Sequence, residues 1–252
     1  MKIKFVALAL LLLASACLAG CAKPFEPADL EIKPVQGTII PRYAPAAVVL
    51  ECQEFELVDG KEVPHGTTGM VAISKAEGEL LRWTLGLTRR SKNTGIYFAA
   101  TTDQLGTIKS VELTNKLDDP TNMMIIGIVG RSLFVDYITP LAQKPITNGE
   151  VIAPTAPIIT SFAKGLDKVN ASAILRGETT YNGIPCYVAA YKITSQKYMT
   201  KEQDMAHAEF TSLMLLDKET MVPVVGKQTV SVIYENSQKS PKGFIRRISS
   251  DR

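Results

Sequence analysis

The sequence predicts a mainly β (α+β) protein, an antiparallel half-barrel of about ten strands around a central apolar helix. Three observations support this fold class. Most of the chain after residue 45 alternates apolar and polar residues or runs apolar in short segments, as β-strands do. Turn signals such as Asn182-Gly183 separate these segments. One segment, residues 119–138, is apolar on nearly every side and predicts a buried helix.

The composition is that of an ordinary globular protein. The chain has 252 residues, of which 46% are hydrophobic and 21% charged, and this balance argues against disorder. With 28 basic and 25 acidic residues, the net charge of +3 is too small for a protein that binds nucleic acid by neutralising phosphates. The two histidines, His65 and His207, stand far apart in the sequence, which disfavours a metal site or histidine-based catalysis.

Residues 1–20 predict a secretory leader. Lys2 and Lys4 precede an apolar run that is too short for a transmembrane helix of about 20 residues. The residues Leu18-Ala19-Gly20-Cys21 resemble the lipobox of bacterial lipoproteins. That resemblance implies cleavage before Cys21 and lipidation of its thiol, and Ala22 favours export to the outer membrane. We therefore expect a bacterial envelope protein that is lipid-anchored, facing the periplasm.

The segment that follows the anchor predicts a tether. Residues 21–36 hold three prolines and little periodicity, which is typical of a linker, and residues 37–252 form a single β-rich domain. The first strand covers residues 46–58, and a shift in its apolar phase predicts a bulge near Gln53. Hairpins are predicted next for residues 68–88, around Gly78, and for residues 95–113.

The central segment begins with a helix-start signal. Asp119 can cap a helix whose first position is Pro120, and the apolar residues continue to Ile138. The alternative is a buried strand over residues 123–129, because Gly127 and Gly130 disfavour a helix. Later strands are predicted at residues 150–152, 173–181, 184–194, 209–216 and 228–235. Residues 195–206 predict a long loop or a short exposed helix, and residues 238–252 predict a basic tail.

Two cysteines remain once the leader and the anchor are set aside. Cys52 and Cys186 either form a disulfide, which an oxidising envelope allows, or are two buried thiols. The sequence contains none of the common serine-hydrolase, phosphate-loop or zinc-protease motifs, so we expect no enzyme, no cofactor and no metal site.

The second half resembles a known fold. Residues 141–152, 177–191 and 215–225, with Asp217-Lys218-Glu219-Thr220-Met221-Val222-Pro223, resemble the carrier and receptor proteins of the Lol lipoprotein-localisation system. The resemblance implies a curved sheet with a helix in its concavity. We therefore expect a membrane-anchored protein that binds acyl chains of lipids or lipoproteins, with a structural or interaction lipoprotein that has no ligand as the alternative.

The expected ligand lining comes from one strand face and from the central segment. On the strand, alternation places Leu81, Trp83, Leu85 and Leu87 on one face. The segment 119–138 is either a movable lid or a core plug. The predicted lining residues are Trp83, Leu85, Leu87, Met123, Met124, Ile126, Phe134 and Tyr137.

Overall fold

A computed structural model describes residues 29–89, 94–113, 144–152, 169–200, 202–236, 238 and 241–251. The strands of the first half are β1 (Thr38–Ile39), β2 (Ala47–Val58), β3 (Lys61–Glu77), β4 (Leu80–Arg89), β5 (Thr94–Asp103) and β6 (Ile108–Leu113). Those of the second half are β7 (Ile146–Thr147), β8 (Val151–Ile152), β9 (Val169–Tyr181), β10 (Ile184–Ser195), β11 (Tyr198–Met199), β12 (Met205–Asp217), β13 (Pro223–Tyr234) and β14 (Lys242–Ser250). Within the described residues, no helix is long and apolar enough to cross a membrane.

The protein is mainly β, as predicted, and is built on one large antiparallel sheet. The strand order is β6-β5-β4-β3-β2-β14-β13-β12-β10-β9-β8, with β11 paired to β12, and the described strands do not close on themselves. The first half is a meander of β2–β6, and β14 joins it to the second half by pairing with β2. The predicted helix over residues 119–138 and its alternative strand over 123–129 lie outside the described residues.

Local signals predicted several features correctly. The register of β2 and β3 shifts between Glu54 and Phe55, but the extra residue is His65 on β3, so the bulge predicted near Gln53 lies on the partner strand and not in β2. Gly78 and Gly183 lie in turns with φ of 64° and 82°, as their hairpins require. Residues 195–206 form no helix where they are described. They carry the short strand β11 instead, which folds back onto β12.

Two adjacent residues show that the sheet is strongly curved. The N–H of Tyr43 donates to Gln104 O in the β5–β6 turn at 2.7 Å, and the N–H of Ala44 donates to Thr220 O in the β12–β13 turn at 3.4 Å. Six strand intervals separate β5 from β12 along the sheet, which would span about 29 Å if the sheet were flat. Tyr43 and Ala44 are consecutive, so they can contact both turns only if the sheet bends and brings the two turns close together. We call the end that holds these turns the lower end.

One face of the curved sheet holds the main core, and we call it the inner face. Its apolar cluster takes buried side chains from eight strands, β2–β5, β9, β10, β12 and β14, and partly buried side chains of β6 and β13 pack against it. Leu50, Trp83, Phe98 and Met214 are among its fully buried members. Val35, Tyr43 and Ile146, from segments that run outside the main sheet, join the same cluster.

The opposite, outer face of the second half holds a smaller cluster of Cys186, Val188, Leu215, Val224 and Val225. Leu30 and Ile32 pack against it. Next to them, Lys33 forms an isolated β-bridge with Glu178 on β9. Residues 30–35, which the sequence places in the tether, therefore lie against the sheet.

Candidate functional site

The predicted strand lining lies in packed core. Trp83 and Leu85 are both 0% exposed. The indole N–H of Trp83 donates to Thr102 Oγ1 at 3.1 Å, and the Tyr43 ring meets the indole edge-on at 6.3 Å between centroids. These contacts fix Trp83 in one position near the lower end. Leu87 lies on β4, like Trp83 and Leu85, opposite Met70 on β3. Its side chain is outside the described residues, as are Met123, Met124, Ile126, Phe134 and Tyr137.

A polar row crosses the middle of the inner face. Ser212, Gln228, Arg246 and Glu54 lie directly opposite one another on β12, β13, β14 and β2. Gln228 is 0% and Ser212 is 6% exposed, and Arg246 Nε donates to Glu54 Oε1 at 3.1 Å. The Ser212 Oγ atom has no hydrogen-bond partner within the described part of the chain. Buried polar groups usually have partners, so this row is the most unusual chemistry on the inner face.

Above the polar row, aromatic and aliphatic side chains continue the apolar surface. Phe210 lies opposite Val230, and Val230 lies opposite Phe244. The Tyr191 and Phe210 rings meet edge-on at 5.8 Å, and the His65 and Phe244 rings at 5.4 Å. Phe244 is 38% exposed, in contrast to the buried Trp83 and Leu85. Sequence reasoning missed Phe244, because the sequence predicts a basic tail where β14 lies.

The two cysteines are buried thiols and form no disulfide. Cys52 on β2 belongs to the inner cluster and Cys186 on β10 to the outer one, with four strand intervals between them. Such a separation exceeds the roughly 4.4–6.8 Å between Cα atoms that a disulfide needs. Burial, with the nearby carboxylate of Asp217, raises the pKa of the Cys186 thiol to about 11. The bridge that the sequence allowed is therefore absent, and the second alternative, two buried thiols, describes the structure.

A groove runs along the outer face of β9, β10, β12 and β13, with a volume of about 480 Å³. Its lining includes the apolar Ile32, Ile174, Ala190 and Leu213, hydroxyls from Ser172, Thr211 and Thr229, and the cations Arg176, Lys192 and Lys227. Lys192 forms an ion pair with Glu209 at 2.7 Å. No sequence signal pointed to this groove, because its residues come from four strands that are distant along the chain.

Metal chemistry finds no support in the described part of the chain. No group of three or more His, Cys, Asp or Glu side chains there is placed to hold a metal ion. His65 contacts Phe244, and His207 lies on β12 opposite Ile233. The two histidines thus lie on different strands, β3 and β12, of the sheet.

Comparisons with known proteins add nothing to these observations. No family model and no curated protein matches the chain. The Asp217–Pro223 segment, which carries the clearest resemblance to the Lol fold, forms the β12–β13 turn. Asp217 Oδ1 accepts the N–H of Glu219 at 2.9 Å, and its Oδ2 accepts the Thr220 hydroxyl at 3.0 Å. In this chain the motif stabilises a turn.

Proposed function

We propose that the chain is a lipid-anchored envelope protein that binds an acyl chain, or an amphiphile that carries one, on the inner face of its sheet. The sheet acts as a half-barrel around the apolar segment 119–138. The observation that carries the proposal is the apolar side chains that ten strands contribute to one concave face, on both sides of the polar row. A surface of this kind is how proteins commonly enclose apolar ligands.

The residues proposed here for ligand contact differ from those that the sequence predicts. Trp83 and Leu85 are already covered by the protein's own side chains, so they have no area left to offer. Phe244, which is 38% exposed, and the partly buried Val230, both beyond the polar row, are the better candidates for contact with an acyl chain, with the buried Phe210 beside Val230. The Ser212 hydroxyl can then hydrogen-bond to a polar group of the ligand.

A second candidate function is a structural or interaction lipoprotein that has no ligand. The packing of Trp83 favours this function. Its N–H is bonded to Thr102 and Tyr43 packs against its ring, so the lower end of the inner face is a filled core and not a cavity. The two functions differ in whether the upper part of the inner face takes up lipid.

Native mass spectrometry of the purified full chain tests the first function by detecting co-purified lipid. Displacement of a fluorescent fatty acid gives the affinity. Phe244→Glu should weaken binding by about tenfold or more, because an apolar contact of this size contributes about 1.5–3 kcal/mol. Val71→Glu is the matched control, since Val71 is similarly exposed, at 41% against 38% for Phe244, but faces outward on β3. Absence of lipid, with no fatty-acid binding by the parent, would leave the structural function.

The segment 119–138 has its own test. If it is a movable lid, Met124→Asp or Ile126→Asp should abolish lipid pickup while circular dichroism shows an intact sheet. If it is a core plug, the same change buries an unpaired charge and should unfold the domain.

The anchor is tested separately. Cys21→Ala should leave the protein unprocessed or release it into the soluble periplasmic fraction. Unchanged membrane fractionation of that variant would show that Cys21 is not the anchor.

A further inference from the structure

We propose that the outer groove of the second half, lined by Arg176, Lys192 and Lys227, docks on the anionic phospholipid headgroups of the membrane that holds the protein. This inference rests on the lipid anchor of the proposed function but not on ligand binding by the inner face. It assigns a membrane-facing side to a domain that would otherwise rotate freely about its tether.

The shape of the groove follows from a bulge in β9. The β9–β10 register jumps from Gly177 opposite Val188 to Leu175 opposite Ala189, which leaves Arg176 as the extra residue. A bulge re-aims the side chain of its extra residue, and here Arg176 lines the groove. The floor between the cations is made of small or apolar residues such as Ala190 and Leu213, so long basic side chains stand around a shallow apolar depression.

The charge of the groove is complementary to an anionic surface. Three cations line it, of which Lys192 pairs with the carboxylate of Glu209 and Lys227 also has an interaction within the protein. Arg176 forms no ion pair with any described residue. Hydroxyls of Ser172, Thr211 and Thr229 add donors for phosphate oxygens. Arginine and lysine beside such hydroxyls form a common phosphate-binding set.

The length of the tether says which anionic surface lies within reach. Leu30 and Ile32 are fixed on the outer face of the second half, and Ile32 itself lines the groove. Only residues 22–28 separate Cys21 from Asp29, the first described residue. A fully extended chain of that length spans about 26–29 Å. An acylated Cys21 therefore keeps Asp29, three residues from Ile32 in the groove, within about 26–29 Å of the bilayer, so that the surface of this membrane is within reach of this face.

Amine labelling of the full lipidated chain in vesicles tests the inference. The protein is reconstituted in neutral phosphatidylcholine vesicles and in vesicles that also contain phosphatidylglycerol, and a membrane-impermeant amine reagent is added. Lys192 and Lys227 should label about fivefold more slowly with phosphatidylglycerol, the factor that matches the free energy of one cation at an anionic membrane. At an ionic strength of about 1 M, where the screening length is about 3 Å, the difference should disappear.

Lys75 provides the matched control. It is exposed on the outer face of β3, opposite Arg82 on β4, and its labelling should be the same in both vesicles. Arg176→Gln should reduce the protection of Lys227, whereas Arg82→Gln should leave it unchanged. Equal slowing at Lys75 would indicate a general effect of surface potential and overturn the docking site. Equal labelling of Lys192 and Lys227 in both vesicles would overturn it as well.

Flotation of the same samples separates this inference from the anchor. Protein that stays on both kinds of vesicle without any change in labelling keeps the anchor and loses the groove. Protein that leaves neutral vesicles but stays on anionic ones keeps the groove and loses the anchor. Slower labelling caused by millimolar inorganic phosphate in neutral vesicles would assign the groove to a soluble anion and overturn membrane docking.

Discussion

Lys33 and Glu178 exchange two backbone hydrogen bonds, from Lys33 N to Glu178 O at 2.9 Å and from Glu178 N to Lys33 O at 2.8 Å. The pair extends the sheet by one bridge beyond β9, and it fixes the direction in which the chain leaves towards its N-terminus. Gly177, the neighbour of Glu178, allows this close approach. A Cβ at position 177 would lie 2.3 Å from Lys33 O and 2.6 Å from Ile32 Cγ2.

Gly177→Ala should therefore release residues 30–35 from the sheet and lower the free energy of unfolding by about 2–4 kcal/mol. Two terms add, since the backbone φ of +147° is unfavourable for alanine and the methyl group collides with Lys33. Urea denaturation measures the loss, and hydrogen exchange at Lys33 N should accelerate. Gly183→Ala is the control: its φ is +82° with nothing within 4 Å, so only the backbone term applies. Equal losses in both variants would contradict the collision.

The buried hydrogen bond of Trp83 makes a second prediction. Thr102→Val keeps the side-chain shape but removes the Oγ1 atom that accepts the indole N–H, and this should cost about 1–3 kcal/mol. Trp83 is the single tryptophan of the chain, so its fluorescence reports unfolding directly. Thr101→Val, at the neighbouring half-buried position, should change stability by no more than about 0.5 kcal/mol. A neutral Thr102→Val variant would show that the bond contributes nothing.

The thiols make a third prediction. Neither Cys52 nor Cys186 should react with an alkylating reagent at neutral pH in the folded protein, because both are buried and burial raises the pKa of Cys186 to about 11. After denaturation both should react without prior reduction. A requirement for reductant would mean that the two thiols are bridged and that the separation of their strands is wrong.

The sequence predicted local features well and long-range ones poorly. Alternation in β4 correctly separated the buried Leu81, Trp83 and Leu85 from the exposed Arg82 and Thr84. This prediction needs only one segment, because successive side chains of a strand point to opposite faces of the sheet. The sequence predicts a basic tail where strand β14 lies, and the reason for the difference is physical. Its two arginines are held by partners far along the chain.

Those partners explain why no local pattern could find the strand. Arg246 Nε donates to Glu54 on the inner side, 192 residues away. Arg247 donates to both carboxylate oxygens of Glu62, 185 residues away, and its guanidinium lies 4.7 Å from the Phe55 ring centroid. The outer groove was missed for the same reason. The predicted tether extends too far along the chain, because Leu30 and Ile32 pack against β10, β12 and β13. The sequence around these two residues does not reveal contacts with strands so distant along the chain.

Alkaline pH gives the last prediction, which concerns Tyr43. Its hydroxyl is buried and has no hydrogen-bond partner in the described part of the chain. Burial raises the pKa of Tyr43 well above its ordinary value of 10.0. Above pH 10 the unfolded chain loses this proton while the folded chain keeps it, so the unfolded state binds fewer protons and stability falls as the pH rises. Below pH 10 the same group has no effect on the pH dependence.

Tyr43→Phe should remove this contribution. At neutral pH the variant should be as stable as the parent or more stable, since it no longer buries a polar atom without a partner. Between pH 10 and 11 its urea midpoint should fall less steeply than that of the parent. In this variant a smaller fall in stability remains, because the pKa of Cys186 is also raised, to about 11, from its ordinary value of 9.0. This fall starts near pH 9.0, where the unfolded chain begins to lose the Cys186 proton. A marked loss of stability in Tyr43→Phe at neutral pH would mean that the hydroxyl has a partner, and a slope unchanged from that of the parent would mean that Tyr43 does not resist ionisation.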